Sequence, residues 1–182
     1  MMKTQPQNLQ TLITSHGVTE QAFRKALGRF PTGVTIVTAQ TPGQPPVGLT
    51  VSSFNSVSLE PPLILWSLSC RSSSSCVFTE SEHYVIHVLS SEQFDLAKRF
   101  SQGTQSSRFE GLPVTQTPSG VLRLDLEFAA WFECRNVQHL QQGDHLLFLG
   151  EVQHCAHSDE LPLIYHAGGY DLTPAGQTFD CE

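Results

Sequence analysis

The sequence is poor in charge, and lysine and arginine are especially scarce. Only 15% of its 182 residues are charged, and 10 Lys and Arg stand against 17 Asp and Glu, which gives a formal net charge of -7. Sequence-independent binding to nucleic acid or to an anionic membrane surface needs a surplus of cations, so neither partner is expected. No stretch approaches the about 20 apolar residues of a membrane helix, and residues 1–14 lack the apolar run of a signal peptide. We therefore expect a cytoplasmic protein.

Cysteine motifs are also missing. The five cysteines include no C-x-x-C pair, which is unlike a disulfide framework in a secreted protein or a structural zinc site. His154, Cys155 and His157 are metal-binding residue types at close spacing, but no second cluster completes a set of four ligands. We predict reduced thiols and no metal site.

Two kinds of catalytic signature are absent. The fingerprint G-x-G-x-x-G does not occur, so a Rossmann site for NAD(H) is not expected. No Ser-His-Asp arrangement or pair of carboxylates stands out either. The sequence therefore indicates no side chain that acts as a general acid or base.

Short strand patterns separated by turn residues dominate what is present. The predicted strands cover residues 34–39, 47–52, 56–58, 63–69, 83–89, 122–132, 145–152 and 162–165. Closely spaced strands with few helices predict a mainly β fold, a closed or split antiparallel barrel with peripheral helices. The length predicts one domain, which we place at 18–175 between a disordered tail at 1–17 and a second tail at 176–182.

The first predicted helix begins after Thr19, a plausible N-cap, and ends at Pro31. Its apolar residues recur with helical spacing and are expected to pack as one stripe against the barrel. They are Phe23, Ala26, Leu27 and Phe30.

A second helix and a long loop follow the strand at 83–89. Ser90 and Gln93 form a capping-box pattern ahead of an apolar stripe that consists of Phe94, Ala97 and Phe100. Residues 101–120 are rich in Gly, Ser, Pro and Gln, which predicts a long irregular segment of the kind that forms lids and binding loops.

Two hydroxyl-rich segments are candidate ligand sites. One is the turn at 50–53, and the other is Arg71 with the four serines at 72–75, at a predicted helix start. On pattern alone, a hairpin edge with serines in water and a serine N-cap explain them. The alternative is that backbone N–H groups and hydroxyls approach a polar planar ligand or a phosphate, since no large side chain intervenes.

Three blocks of sequence resemble one enzyme family. They are FPTGVTIVTA at 30–39 with GLTVSSFNSVSLEPP at 48–62, VLSSEQFDLAKRF at 88–100, and GDH at 143–145 with GEV at 150–152 and PLIYHAGGY at 162–170. Together they span roughly residues 20–172 and resemble the short-chain flavin reductases. Those are split-barrel proteins that reduce FMN or FAD with NADH or NADPH, usually for a partner monooxygenase.

The resemblance implies an FMN-binding split β-barrel, a homodimer and two groups of site residues. The flavin-binding residues it implies are Pro31, Thr32, Thr50, Val51, Ser52, Ser53, Ser67, Leu68, Ser72, Ser73, Ser74 and Phe100. Those it implies for the nicotinamide nucleotide are His145, Gly169 and Tyr170. The family usually has Asn at His87, which we predict to be a packed strand residue. Arg108 with Phe109 resembles a basic-aromatic pair of the family, although a solvated arginine also explains Arg108.

Such a reaction needs no catalytic acid or base, because the two cofactors carry the hydride chemistry. The protein supplies orientation, a dry slot and donors towards the flavin N1–O2 edge, which we expect from the backbone N–H groups of 50–53. Three alternatives stay open: an FMN-linked oxidase without free-flavin turnover, a ferric or quinone reductase, and a non-catalytic flavin- or haem-binding module.

Overall fold

The computed structural model describes residues 17–171. Apart from Gly17, the two tails predicted at 1–17 and 176–182 lie outside the described residues, as do the last residues of the predicted domain. None of the helices within 17–171 is both long and apolar enough to cross a membrane.

The described residues form twelve strands and four α-helices. The strands are β1 (Thr32–Gly33), β2 (Thr35–Ala39), β3 (Val47–Val51), β4 (Asn55–Leu59), β5 (Pro62–Ser69), β6 (His83–Val88), β7 (Val114–Gln116), β8 (Leu122–Leu124), β9 (Ala130–Gln142), β10 (His145–His157), β11 (Ile164–His166) and β12 (Gly169–Asp171). The helices are α1 (Glu20–Leu27), α2 (Ser75–Glu80), α3 (Phe94–Ser101) and α4 (Gln105–Phe109). The predicted mainly β architecture is confirmed.

Seven strands form one antiparallel sheet in the order β3-β2-β6-β9-β10-β5-β4. Strand β3 is at one edge, and it shares no backbone ladder with β5, the strand next to the opposite edge. The Ser53 hydroxyl, just after β3, accepts from the Ser67 N–H at 2.9 Å and donates to the Ser67 carbonyl at 3.0 Å. One side chain thus joins the two ends of the curved sheet where a ladder is missing.

Two apolar clusters fill the protein. The first contains an aromatic group in which Trp66 stacks on Phe148 at 4.4 Å and meets Phe78 edge-on at 5.0 Å. The second lies where α3 covers β2, and it includes Ile36, Leu89, Ala97, Phe100 and Leu124, all 0% exposed. These clusters fix the strands whose ends carry the site.

Helix α1 differs from its prediction in two respects. Its N-cap is confirmed, because Thr19 Oγ1 accepts from the Ala22 N–H at 3.2 Å. The helix ends at Leu27 and not at Pro31, with Gly28 as its C-cap. The predicted packing of its apolar stripe on the barrel is wrong, since Phe23, Leu27 and Phe30 are 55%, 57% and 75% exposed.

The loop predicted at 101–120 is more ordered than its composition indicates. It contains α4 and β7, and α4 is held against the edge strand β3 at Gly48. The Gln105 side-chain carbonyl accepts from the Gly48 N–H at 2.8 Å, and Arg108 Nη1 donates to the Gly48 carbonyl at 2.7 Å. Arg108 therefore protects a strand edge and is not a solvated side chain. The predicted capping box of Ser90 and Gln93 is confirmed, and it opens a 3-10 turn ahead of α3.

The single strand predicted over 122–132 is wrong. Residues 122–124 form β8, which pairs only with β7, and β9 begins at Ala130 in the large sheet. The chain between them carries Phe128 into the second apolar cluster beside His87, with ring centroids 4.7 Å apart. The alternating apolar residues of this segment are therefore buried without forming one continuous strand. The chain bends after β8, and Leu124 and Phe128 pack into the second cluster.

Candidate functional site

A cleft of about 1380 Å³ opens between α1 and one end of the barrel. Five of the predicted site residues line it, although they are widely separated in the sequence. They are Thr32, Ser52, Ser53, Ser67 and His145. A pocket for a single drug-sized ligand holds about 300–1,000 Å³, so this cleft has room for more than one ring system.

The serines at the floor of the cleft have different roles. The Ser53 hydroxyl forms hydrogen bonds with the backbone N–H and carbonyl of Ser67 at the junction of the barrel ends, so it is already engaged. Ser52 precedes this junction and is exposed. Its small side chain leaves the nearby backbone open to a ligand.

Thr32 contributes an unsatisfied polar atom to the cleft. Its hydroxyl oxygen is buried and has no hydrogen-bond partner among residues 17–171. A buried polar group left without a partner costs about 1–3 kcal/mol. A ligand with a polar edge removes this cost when it fills the cleft, so the residues present fit a flavin or another polar planar group.

His145 reaches the cleft from the tight turn between β9 and β10, where Gly143 has a φ of 60°. Its Nδ1 lies 2.7 Å from the Asp144 carboxylate. The hydrogen bond from His145, followed by the charges of His145 and Arg71, holds the pKa of Asp144 below its usual value. The carboxylate accepts the hydrogen bond from Nδ1, which orients the ring and leaves Nε2 available to a ligand.

A two-residue turn between β11 and β12 forms the far wall. Its central residues, Ala167 and Gly168, have φ values of 52° and 86°. The Ala167 N–H donates to the Gly28 carbonyl at 2.8 Å, which ties this turn to the end of α1. A non-glycine residue with positive φ is uncommon, and here it holds the wall of the cleft.

Other predicted residues lie outside the cleft. Thr50 donates its hydroxyl to the Ala97 carbonyl at 2.7 Å, while Val51, Leu68 and Phe100 pack into the apolar clusters. Strand alternation explains this, since β5 turns Leu68 inward and Ser67 towards the cleft. Pro31 is exposed next to Thr32, and neither it nor Gly169 is among the lining residues. Tyr170 packs on Tyr165 and Phe94 at 5.3 and 5.2 Å.

The serine run is at the start of α2 and does not line the cleft. Ser74 is the N-cap and is 2% exposed. Its oxygen accepts from the Gln105 side-chain N–H at 2.7 Å, so its own hydroxyl proton stays available. Ser73 is exposed, and Ser72 is half-buried. The structure thus brings 52–53 and 67 together with His145 but leaves 72–74 as a separate group.

Sequence reasoning missed one wall of the cleft, the polar face of α1. Arg24, Lys25 and Arg29 line the cleft. No signal in the sequence identifies them, because helical spacing places Arg24 and Lys25 off the apolar stripe but does not show which side of α1 faces the cleft. The expectation that the apolar stripe faces the barrel assigned the basic face to solvent.

Comparison with known proteins identifies the class that this fold and cleft define. The family model described as flavin reductase like domain matches residues 27–173. The FMN reductase (NADH) SmoA of Agrobacterium fabrum is 44% identical over 154 residues, which are 85% of this chain and 86% of that protein. The NADH:FMN oxidoreductase of Rhodococcus qingshengii is 39% identical over 181 residues, which cover 94% and 92% of the two chains.

A solved structure agrees with these relatives. The flavin reductase of the styrene monooxygenase of Pseudomonas putida S12 has a TM-score of 0.76 and 29% identity, covering 85% of this chain and 99% of that one. The predicted split-barrel fold is confirmed. The chain belongs to the flavin reductase-like family, as its sequence motifs indicated.

Proposed function

We propose that the chain is an NADH:flavin oxidoreductase that reduces FMN, with FAD and NADPH as the alternatives to be tested. The observation that carries this proposal is the cleft in which the orphaned Thr32 hydroxyl, Ser52 and His145 meet. The relatives named FMN reductase (NADH) and NADH:FMN oxidoreductase support the choice of cofactors.

The chemistry that the two cofactors supply when bound is hydride transfer from nicotinamide C4 to flavin N5. The Thr32 hydroxyl would donate a hydrogen bond to the polar edge of the ligand, and Ser52, whose small side chain leaves the backbone accessible, lines the same cleft. Such fixed donors stabilise negative charge that develops during the reaction. His145, held by Asp144, would orient the nicotinamide nucleotide through Nε2. No side chain has to act as an acid or base.

Consumption of NADH with and without added flavin tests the function. We expect the purified protein to oxidise NADH slowly alone and rapidly once free FMN is added. An oxidase with resident flavin does not need the addition, and a binding module shows no consumption in either case. Either of those results contradicts the proposal, while ferric or quinone reduction without flavin identifies the remaining alternative.

Reduced flavin that leaves the cleft is a substrate for a second enzyme. The structural relative from Pseudomonas putida S12 is the reductase of a styrene monooxygenase. We propose that this chain likewise supplies a separate flavin-dependent monooxygenase by diffusion of reduced flavin. The cytoplasmic location expected from the sequence stays a prediction.

Replacing His145 by alanine is expected to raise the KM for NADH or slow hydride transfer, with flavin affinity changed by no more than about 0.5 kcal/mol. A contact made only with the second cofactor affects only the complexes that contain it. Anaerobic stopped-flow reduction of bound flavin measures the step, and flavin titration measures affinity. His154→Ala, on an exposed part of the same strand, is the control. Loss of flavin with normal reduction of the remaining holoprotein would place His145 in the flavin site or the core.

Replacing Ser73 and Ser74 together by alanine is expected to weaken FMN binding by about 1–3 kcal/mol, the scale of lost charge-assisted hydrogen bonds. The reason is the proposed contact of the flavin phosphate with the start of α2, where the Ser74 hydroxyl proton is free. Fluorescence titrations with FMN and with riboflavin, which lacks the phosphate, separate this contact from a general loss. Ser119→Ala, in the exposed β7–β8 turn, is the control. An unchanged dissociation constant for FMN moves the phosphate elsewhere.

We also propose a homodimer with the flavin near the subunit boundary. Phe23, Leu27 and Phe30 form an exposed apolar stripe, of which Leu27 and Phe30 also line the cleft, and an apolar patch of this kind usually marks an association surface. Light scattering at micromolar concentration is expected to give twice the 20.1 kDa of one chain. The variant Phe23→Ser/Phe30→Ser is expected to shift the mass towards 20.1 kDa. A monomeric wild type contradicts this part of the proposal.

A further inference from the structure

The cleft is positive on a protein that is negative as a whole. The chain has a formal net charge of -7 and only 10 lysines and arginines. Three of these cations, Arg24, Lys25 and Arg29, line the cleft, and Glu20 is the one carboxylate among the lining residues. Three positive charges and one negative charge leave a local charge of +2. Asp144 lies behind His145, close enough to Arg71 for the two charges to interact.

The three cations are not equally free. Arg24 Nε donates to the Glu20 carboxylate at 2.8 Å, an exposed pair within one turn of α1. The side chains of Lys25 and Arg29 form no hydrogen bond or ion pair with any residue within 17–171. Their donors therefore face the cleft without a protein partner, and Glu20 neutralises only Arg24.

The position of α1 directs this basic face into the same cleft as His145. Leu27 and Phe30 of the exposed apolar stripe line this cleft as well, and the Ala167 N–H donates to the Gly28 carbonyl at 2.8 Å at the end of the helix. Arg29 follows Gly28 directly. The hydrogen bond at Gly28 therefore ties the end of α1, and Arg29 beside it, to the wall of the cleft.

We propose that Lys25 and Arg29 bind the diphosphate of the reduced nicotinamide dinucleotide. This inference rests on the proposed function. A guanidinium and an ammonium supply charge-assisted donors that suit phosphate oxygens. A diphosphate diester carries two negative charges, which matches the local charge of +2, whereas Thr32 and the serines offer neutral donors. The nicotinamide end then extends to His145, and the phosphate end lies against α1.

The variant Lys25→Ala/Arg29→Ala tests the assignment. Its KM for NADH is expected to rise roughly 10- to 100-fold, as for the loss of two charge-assisted contacts. Its rate with 1-benzyl-1,4-dihydronicotinamide, a hydride donor without phosphate, is expected to stay within about twofold of wild type, since the contacts removed are absent from that reaction. The control is Lys98→Ala/Arg135→Ala, which removes the same charges outside the cleft.

Flavin titrations test the alternative that the basic face binds the phosphate of FMN. If the cleft variant loses affinity for FMN but not for riboflavin, the basic face binds the flavin phosphate and the proposal is overturned. A KM for NADH equal to that of the control variant also overturns it.

As a second measurement, the KM of wild type for NADH is expected to rise more steeply with salt than that of the cleft variant. A wild type inactive with both donors signals failure of the proposed function itself, because failure of this inference leaves wild-type turnover intact.

Discussion

Wild-type protein is expected to lose about 2 kcal/mol of stability between pH 7 and pH 5 through His87 alone, and His87→Asn is expected to abolish that loss. His87 is 0% exposed. Its Nδ1 lies 3.1 Å from the Ile36 carbonyl, and its Nε2 accepts from the Leu124 N–H at 3.2 Å. Both ring nitrogens are thus used by the neutral imidazole.

The sign follows from the two pKa values. Burial, opposed by the hydrogen bond to Ile36, lowers the pKa of His87 from 6.5 to about 3. The unfolded chain therefore binds the proton first. Stability is complete above the unfolded value of 6.5 and falls as the pH drops from there towards 3.

Denaturant unfolding gives the free energy of unfolding of both proteins at pH 7 and at pH 5. The loss between the two pH values in the variant is then subtracted from the loss in wild type. Asparagine offers one donor and one acceptor for the same two backbone partners, so the variant is expected to fold. His87→Gln serves the same purpose if asparagine leaves too large a cavity. An equal loss between pH 7 and pH 5 in wild type and variant would show that another group titrates.

Replacing Gly150 by alanine is expected to destabilise the protein by about 3 kcal/mol, the upper end for overpacking a core. A Cβ on Gly150 would lie 2.1 Å from the Tyr84 hydroxyl oxygen and 3.1 Å from Cys134 Cβ. Tyr84 cannot yield easily, because it is 0% exposed and its ring meets Trp66 edge-on at 5.5 Å.

A double variant isolates the cause. The Tyr84 hydroxyl is buried and has only the Trp66 indole as a polar neighbour, without a well-formed hydrogen bond to it, so Tyr84→Phe alone is expected to cost no more than about 1 kcal/mol. Combined with Gly150→Ala, it removes the 2.1 Å contact but keeps the ring carbon Cζ at 2.9 Å, so it is expected to restore only part of the lost free energy of unfolding, measured with urea. Additive losses in the double variant would show that the hydroxyl contact is not the cause.

Much of the fold could be predicted because strand patterns and turn residues are local. The strand at 63–69, the turn at Gly143 and the caps at Thr19 and Ser90 agree with the structure for that reason. The errors arise where tertiary contacts decide. Alternation at 122–132 cannot reveal that Phe128 enters a cluster above the sheet, and helical spacing cannot reveal which side of α1 faces the barrel.

Some residues of the candidate site could likewise be predicted from the sequence, and others could not. Thr32, Ser52 and His145 could be predicted from motifs, because each is near the end of a strand and the family resemblance covers all three. Resemblance also named neighbours such as Leu68 and Phe100, which strand alternation and helix packing turn into the core. The three cations Arg24, Lys25 and Arg29 belong to no recognisable motif, and their place in the cleft depends on how α1 lies against the barrel.

A crystal structure of the protein with FMN tests the central claim most directly, because the claim is that the cleft between α1 and the barrel end is the place of flavin reduction. We predict electron density for the flavin ring in this cleft, with its polar edge within hydrogen-bond distance of the Thr32 hydroxyl and the backbone near Ser52. Density for the flavin at any other place, with the Thr32 hydroxyl still without a partner, would contradict the account.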